Sequence, residues 1–163
     1  VTGSLPPNTA AFVMYLGDIM RGGGKFKRML EQMAERGDLG ARVQVGIIEQ
    51  ATYKDGQSVA QVAAWNEFGT THIPSRPFFR QTIAQNKSQW AKHAASVLKA
   101  HHYDVPLALG LMGEVVKGQL IDTIQNFNQP PNAASTVAKK GFNKPLIDTG
   151  TLWRSIDYQV VDE

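Results

Sequence analysis

Between Ala64 and Arg80 the chain reads Ala-Trp-Asn-Glu-Phe-Gly-Thr-Thr-His-Ile-Pro-Ser-Arg-Pro-Phe-Phe-Arg, and no other stretch leaves the backbone so few options. Gly69 follows the last residue of a helical pattern, where a left-handed conformation costs glycine almost nothing. Pro74 and Pro77 each fix one φ angle and push Ile73 and Arg76 out of helical geometry. The stretch therefore predicts two helices joined by a stiff corner, with Ser75 as the expected cap of the second helix and Pro77 in its first turn. Trp65, Phe68, Phe78 and Phe79 are the expected apolar filling, with Glu67, Arg76 and Arg80 as the charges. Taken alone, the pattern reads as a helix-loop-helix core corner with solvated arginines.

On the N-terminal side, Ser58 and Gln61 form a capping-box pattern after the Asp55-Gly56 turn signal, and Val59, Val62, Ala63 and Asn66 share the expected buried face. On the C-terminal side a helix is predicted from Pro77 to about Ala100, with Phe79, Ile83, Trp90, Ala94, Val97 and Leu98 along one side. Asp104 and Pro106 open another, carrying Ala108, Met112, Val115, Leu120, Ile124 and Phe127. These two long helices are expected to form an antiparallel hairpin. Gly110, Gly113 and Gly118 weaken the second by about 1 kcal/mol each relative to alanine, which predicts close approach to a neighbour.

Strand periodicity appears twice. Val43, Val45 and Ile47 alternate with Gln44, Gly46 and Ile48 across Arg42 to Glu49, and Ile156, Tyr158 and Val160 alternate with Asp157, Gln159 and Val161. The two segments are expected to pair and so join the ends of the domain. Phe26, Met29, Leu30 and Met33 predict a short amphipathic helix over Lys25 to Arg36. Residues 1–24, with an apolar run at Ala11 to Leu16 that suits either a strand or a helical turn, are read as an N-terminal arm before a single domain at 25–163. Gly22 to Gly24 would be a flexible joint in it. A phosphate-loop reading of these glycines fails, because Ile19 and Phe26 occupy its first glycine and its Ser/Thr positions.

At 163 residues the chain suits one domain. It has no cysteine, which excludes disulfides, thiolate metal sites and cysteine nucleophiles. Charged residues are 19% of the chain, below the roughly 25% of ordinary soluble domains, and such a neutral polar surface suits contact with other proteins. The net charge of +3 does not by itself indicate nucleic-acid binding. Lys139, Lys140 and Lys144 are the nearest approach to a basic cluster. The apolar pattern from Val105 to Phe127 is interrupted by Lys117, Asp122 and glycines, so no membrane span is expected. Val1 to Ala10 lacks the basic start and apolar middle of a signal peptide.

Catalytic patterns are few. Asp148-Thr149-Gly150 matches the triplet of retroviral-type aspartic proteases, but only Thr151 to Glu163 follows it, and a residue capping a turn is the favoured reading. His72, His93, His101 and His102 lack ligand spacing, and no Gly-x-Ser-x-Gly pattern occurs. Neither an enzyme, a metal site nor a cofactor is expected. Asn128 to Ile147, with Pro130-Pro131 and a helical turn at Thr136 to Lys140 closed by Gly141, is a connection long enough to be either functional or mobile.

Several ordered motifs belong together: Asn66-Glu67-Phe68-Gly69-Thr70, Ile73-Pro74-Ser75-Arg76-Pro77-Phe78-Phe79-Arg80, and Pro145-Leu146-Ile147-Asp148-Thr149-Gly150-Thr151-Leu152 with Ser155-Ile156. With Val45-Gly46-Ile47, Ala51-Thr52-Tyr53, Asp55-Gly56 and Val59-Ala60 before them, the arrangement resembles small neck or tail-completion proteins of tailed bacteriophages and prophages, including virion morphogenesis proteins. The likeness spans roughly Val43 to Val160. It implies an α+β fold, here a small antiparallel sheet packed against a long helical hairpin and shorter helices. It also implies a structural role at the head–tail junction of the virion, assembled in the bacterial host cytoplasm.

The implied partners are further copies of the chain in a ring, with a hexamer as the candidate form, together with connector or head-completion proteins and tail proteins. DNA passing without sequence-specific contact is a further candidate; a membrane is not. The motif residues expected to form a structural lock are Glu67, Phe68, Gly69, Pro74, Arg76, Pro77, Phe78, Arg80, Asp148, Thr149, Gly150 and Leu152. Within them Glu67, Arg76, Arg80 and Asp148 would form one polar cluster tying the corner to the C-terminal turn. Pro130, Pro131, Lys139, Lys140 and Phe142 are the candidate subunit interface, and the loop from Asn128 to Lys144 and the arm would order against neighbours. The rival readings are an assembly chaperone absent from the finished particle, and a nucleic-acid-binding module using Lys139, Lys140 and Lys144.

Overall fold

The structure is a computed structural model that describes residues 11–15, 41–48 and 50–161. The predicted helix over Lys25 to Arg36 and the Gly22 to Gly24 joint lie outside the described residues. The fold is α+β. Among the described residues three strands form one antiparallel sheet in the order β1 (Ala11–Tyr15), β2 (Arg42–Ile47), β3 (Ile156–Val161). The five helices among the described residues are α1 (Val59–Phe68), α2 (Phe78–Ala100), α3 (Val105–Asn126), α4 (Ala134–Lys140) and α5 (Thr151–Arg154).

β2 is the central strand. Ile47 pairs with Ile156 and Arg42 with Val161, the expected closure of the two ends. On its other side Gly46 pairs with Ala11 and Arg42 with Tyr15. Residues 11–15 are thus an edge strand of this sheet; five residues were too few for periodicity to separate a strand from a helical turn. Both faces of β2 are covered, since Gln44 and Gly46 are buried along with Val43, Val45 and Ile47. Gln159 Nε2 donates to Gln44 Oε1 at 2.9 Å, which satisfies the buried amide across the strand pair.

α2 and α3 pack as a hairpin, and α3 lies on β2 and β3. The start of α3 is set locally: Asp104 accepts from Leu107 N at 3.0 Å and Pro106 stands in the first turn. The seam between the two helices is apolar, and two polar contacts across it fix its register. Thr82 Oγ1 donates to Phe78 O and contacts Thr123 Oγ1 at 2.8 Å, and Trp90 Nε1 donates to Gln119 Oε1 at 2.8 Å.

The core has two parts. One joins Val43 and Val45 to Trp90, Ala94, Leu98, Leu109, Met112 and Val116. The other joins Ile47 to Val59, Ala63, Phe78, Leu120, Ile124, Leu146, Leu152 and Ile156, and so sits beneath the corner. Val115, expected on the buried stripe of α3, is half-buried, and Val116 takes its place.

Of the three α3 glycines only Gly113 is used for close approach. A Cβ there would come 2.6 Å from Cγ of Tyr158 on β3, whereas Gly110 and Gly118 face open space within 4 Å. Lys117, one turn beyond Gly113, pairs with Asp157 at 2.9 Å, so α3 is tied to β3 by a contact and a charge pair. Replacing Gly113 by alanine should therefore destabilise the fold despite alanine's better helix propensity. Gly110→Ala and Gly118→Ala should be neutral or stabilising by up to about 1 kcal/mol. Urea denaturation of the three variants checks this ordering.

Candidate functional site

The motif residues meet where α1 ends and α2 begins. Ser58 caps α1, accepting from Gln61 N at 3.4 Å. Its buried residues are Val59, Ala60, Ala63 and Glu67. The face is rotated from the one expected: Val62 and Asn66 are half-buried, and a carboxylate takes the last inward position. Gly69 then turns the chain with φ 78° and ψ 171°, a positive φ as expected but extended in ψ and not left-handed helical. A Cβ at Gly69 would lie 3.0 Å from both Ile73 O and Ser75 N, so the loop closes onto it. Thr70 holds that loop, with its Oγ1 accepting from His72 N and Ile73 N at 3.2 and 3.0 Å.

Glu67 is the centre. Its side chain is 5% exposed, and both carboxylate oxygens are engaged. Oε2 accepts from Phe79 N at 2.9 Å, while Oε1 accepts from Arg80 N at 3.2 Å and Arg80 Nε at 2.8 Å. These are first-turn amides of α2, groups that a helix cannot satisfy internally and that favour a negative charge. The carbonyl of the same residue, at the C-terminal end of α1, accepts from Ser75 Oγ at 2.8 Å and Arg80 Nη2 at 2.6 Å. Ser75 therefore does not cap α2, whose flanking residue Pro77 makes no side-chain cap. Glu67 caps it from the preceding helix.

Arg76 is buried, at 7% exposure, and has no carboxylate partner among the described residues. Its backbone N donates to Asn66 O at 2.5 Å. Its guanidinium donates to Pro130 O at 3.2 Å, Pro131 O at 3.1 Å and Asn66 Oδ1 at 3.3 Å. Burial lowers its pKa from the ordinary value. Three carbonyl dipoles compensate the cation, and in doing so pin the Pro130-Pro131 segment against the corner. The long connection is thus anchored within the chain, and α4, closed by a left-handed Gly141, lies in it.

Asp148 is not part of this cluster. No ion pair among the described residues joins it to Arg76 or Arg80, and the expected four-member lock reduces to Glu67 with Arg80, and Arg76 with backbone carbonyls. Asp148 is exposed and borders a groove of about 440 Å³ with Tyr53, Asp55, Asn66, Leu146 and Leu152. Burial raises the Tyr53 pKa, with Asp148 and Asp55 adding to the shift. Nor does Asp148 or Thr149 cap α5. The flanking residue is Gly150, left-handed at φ 81°, and Arg154 Nη1 donates back to Thr149 O at 3.3 Å. Leu152 is buried in the core beneath the corner.

Phe78 is fully buried, but Phe68, expected in the corner core, is 72% exposed. Arg80 Cζ stands 5.4 Å from its ring centroid, so the same arginine that pairs with Glu67 backs the exposed aromatic. Phe142 is 40% exposed with Lys140 Nζ 5.0 Å from its ring. Lys140 and Lys144 are engaged within the chain: Lys140 Nζ donates to Lys144 O at 2.7 Å, and Lys144 Nζ to Gln125 O at 3.4 Å. Burial lowers the Lys140 pKa, and nearby Asp148 opposes that shift.

Sequence reasoning did not find the role of Glu67 as a remote cap. The available signal was a lone carboxylate on an otherwise apolar helix face, followed by a helix start with no acceptor of its own. The described residues contain no group of three His, Cys, Asp or Glu side chains able to hold a metal ion, and no described helix is long and apolar enough to cross a membrane. Comparison with known protein families, with curated proteins and with solved structures finds no match for this chain.

The arrangement is suited to holding. A general base needs a free lone pair in reach of a substrate, and the Glu67 carboxylate is buried with both oxygens occupied. Glu67→Ala should cost about 2 kcal/mol or more, because it removes a cap and uncouples the two helices. Arg80→Ala should cost under about 1 kcal/mol, since that guanidinium is largely exposed and solvent screens the pair. Asp148→Asn should leave stability unchanged. Equilibrium denaturation of the three variants checks the order; equal losses for Asp148→Asn and Glu67→Ala would contradict the geometry described.

Proposed function

We propose that this chain is a structural protein of a tailed bacteriophage or prophage particle. It acts at the head–tail junction as a neck or tail-completion component that assembles into a ring and contacts connector and tail proteins. The observation that carries the reading is the corner itself. Asn66, Glu67, Arg76 and Arg80, which carry the resemblance, meet in the hydrogen-bond network of the corner, Glu67 with Arg80 and Arg76 with Asn66. That network fixes the direction of two helices and holds a large aromatic, Phe68, in solvent beside it.

A rigid, outward-facing aromatic on a surface of low charge supports a docking role, because Phe, Tyr and Trp are enriched in interface cores and charged residues are depleted there. Phe142 offers a second such ring, at the end of the segment that Arg76 anchors. In this reading Pro131, Lys139 and Phe142, all exposed, border the contact between copies, with Pro130 and Lys140 supporting it from within the chain.

Purified particles decide the matter. The expected result is the protein present in fixed stoichiometry in the finished virion, and Phe68→Ser yielding folded protein that no longer incorporates. A protein required for infectivity yet absent from purified particles would replace this reading with that of a morphogenesis factor.

A further inference from the structure

Two features stand on opposite sides of α1, and neither has an occupant among the described residues. On one side is the Phe68 ring, 72% exposed, with the Arg80 guanidinium carbon 5.4 Å from its centroid. Arg80 Nε and Nη2 are bonded to Glu67 and Ser75. Its Nη1 makes no hydrogen bond among the described residues, and the side chain is 58% exposed. On the other side is the groove of about 440 Å³ that Val62 and Asn66 of the same helix line. At about 100° per residue, Phe68 lies about 160° round the helix from Asn66 and about 120° from Val62. The ring therefore points away from the groove of its own chain.

The groove matches that ring and its guanidinium. Its apolar lining is Val62, Pro145 and Ile147, all half-buried, over Leu146 and Leu152 of the core. A cavity of roughly 150 Å³ is enough to hold benzene, so a phenyl side chain fits with space to spare. At the rim Asp55 and Asp148 are exposed, and Asp148 makes no hydrogen bond or ion pair among the described residues. Lys54 shares that rim, which leaves two carboxylates against one ammonium. Lys140, whose ammonium Asp148 also influences, donates to Lys144 O and forms no ion pair with Asp148. An apolar floor under an acidic edge is the complement of an aromatic ring with a guanidinium beside it.

We infer that Phe68 and Arg80 of one copy dock into this groove on a second copy, the ring against the apolar floor and the guanidinium against Asp148. Because the two surfaces differ and lie on opposite sides of one helix, the contact is head-to-tail, and each copy keeps one half free for the next. Such contacts close into a ring when the rotation between copies divides a full turn. The groove wall at 145–149 follows directly on the segment that carries Lys139 and Phe142, already assigned to border the contact between copies. The inference deepens the proposed ring and rests on that reading for the number of copies alone, since one chain carries both halves of the contact.

The test is the association state of the full chain, measured by sedimentation over a range of concentrations. Wild-type protein should associate, and Phe68→Ser and Asp148→Arg should each weaken that association about 30-fold or more, as expected for an anchor removed from a pocket and for a reversed charge facing a guanidinium. Both positions are exposed, so the denaturation midpoints should stay at the wild-type value. A mixture of the two variants decides the geometry: each retains the half that the other has lost, so equal amounts should form a 1:1 dimer that grows no further. A wild-type chain that stays monomeric at every concentration overturns the inference, as do variants that associate like wild type. So does a mixture that remains monomeric, which would assign Phe68 to a two-fold contact with itself or to another protein. Lost stability in Asp148→Arg overturns it too, by assigning the groove to a segment of the same chain. A 1:1 dimer formed by a protein absent from virions would sink the neck reading alone, and incorporation of a chain whose two variants do not pair would sink this inference alone.

Discussion

One carboxylate couples the two halves of this fold. At the boundary between α1 and α2 there are unsatisfied carbonyls on one side and unsatisfied amides on the other, as at any pair of helix ends. Glu67 answers both, offering its backbone oxygen to Ser75 and Arg80 and its side-chain oxygens to Phe79 and Arg80. Because the residue belongs to α1 and the amides to α2, neither helix end is complete without the other. The angle between the helices is thereby set by hydrogen-bond geometry as well as by packing.

Arg76 extends the same logic to the connection after α3. A buried guanidinium without a carboxylate partner is held by whatever acceptors can be brought to it, and here those are consecutive proline carbonyls. Proline suits this use. It has no N–H of its own to satisfy, and its fixed φ keeps the oxygens where the guanidinium needs them. The corner, the connection and the apolar cluster beneath, with Phe78, Leu146 and Leu152, therefore form one unit. The sheet end of the molecule has its own core around Trp90 and Met112, and α3 runs through both.

What could be read from the residue order was what local chemistry decides. The starts of α1 and α3 are marked by Ser58 and by Asp104 with Pro106, a few residues from the amides they serve. The pairing of β2 with β3 followed from matching alternation at both segments. The parts that escaped were decided across distance. Nothing near Pro77 announced that its helix would be capped from Glu67. Asp148 carried a charge of the right sign, but it borders the groove beside Tyr53 and makes no ion pair with either arginine among the described residues. Phe68 looked like core by composition, yet the rotated face of α1 placed Glu67 inward and the ring outward. Of three glycines in α3, only Gly113 lay opposite a neighbour, and periodicity within one helix does not reveal what stands across from it.

The contrast between the corner and the exposed face of α2 separates what the molecule uses to hold its own shape from what it leaves in solvent. At the corner the Glu67 carboxylate and the Arg76 guanidinium are buried and bonded inside the chain, which leaves them little to give a partner or a substrate. Along the exposed face of α2 the Lys92 and Lys99 ammonium groups make no hydrogen bond or ion pair among the described residues, while Ser96 Oγ donates to Lys92 O. A side chain that is solvated and not bonded costs little stability to present and is free to exchange water for a ligand atom. The two surfaces therefore imply different consequences of change. Altering the corner shifts where everything else points, whereas altering the exposed face of α2 leaves the packing of the helices in place.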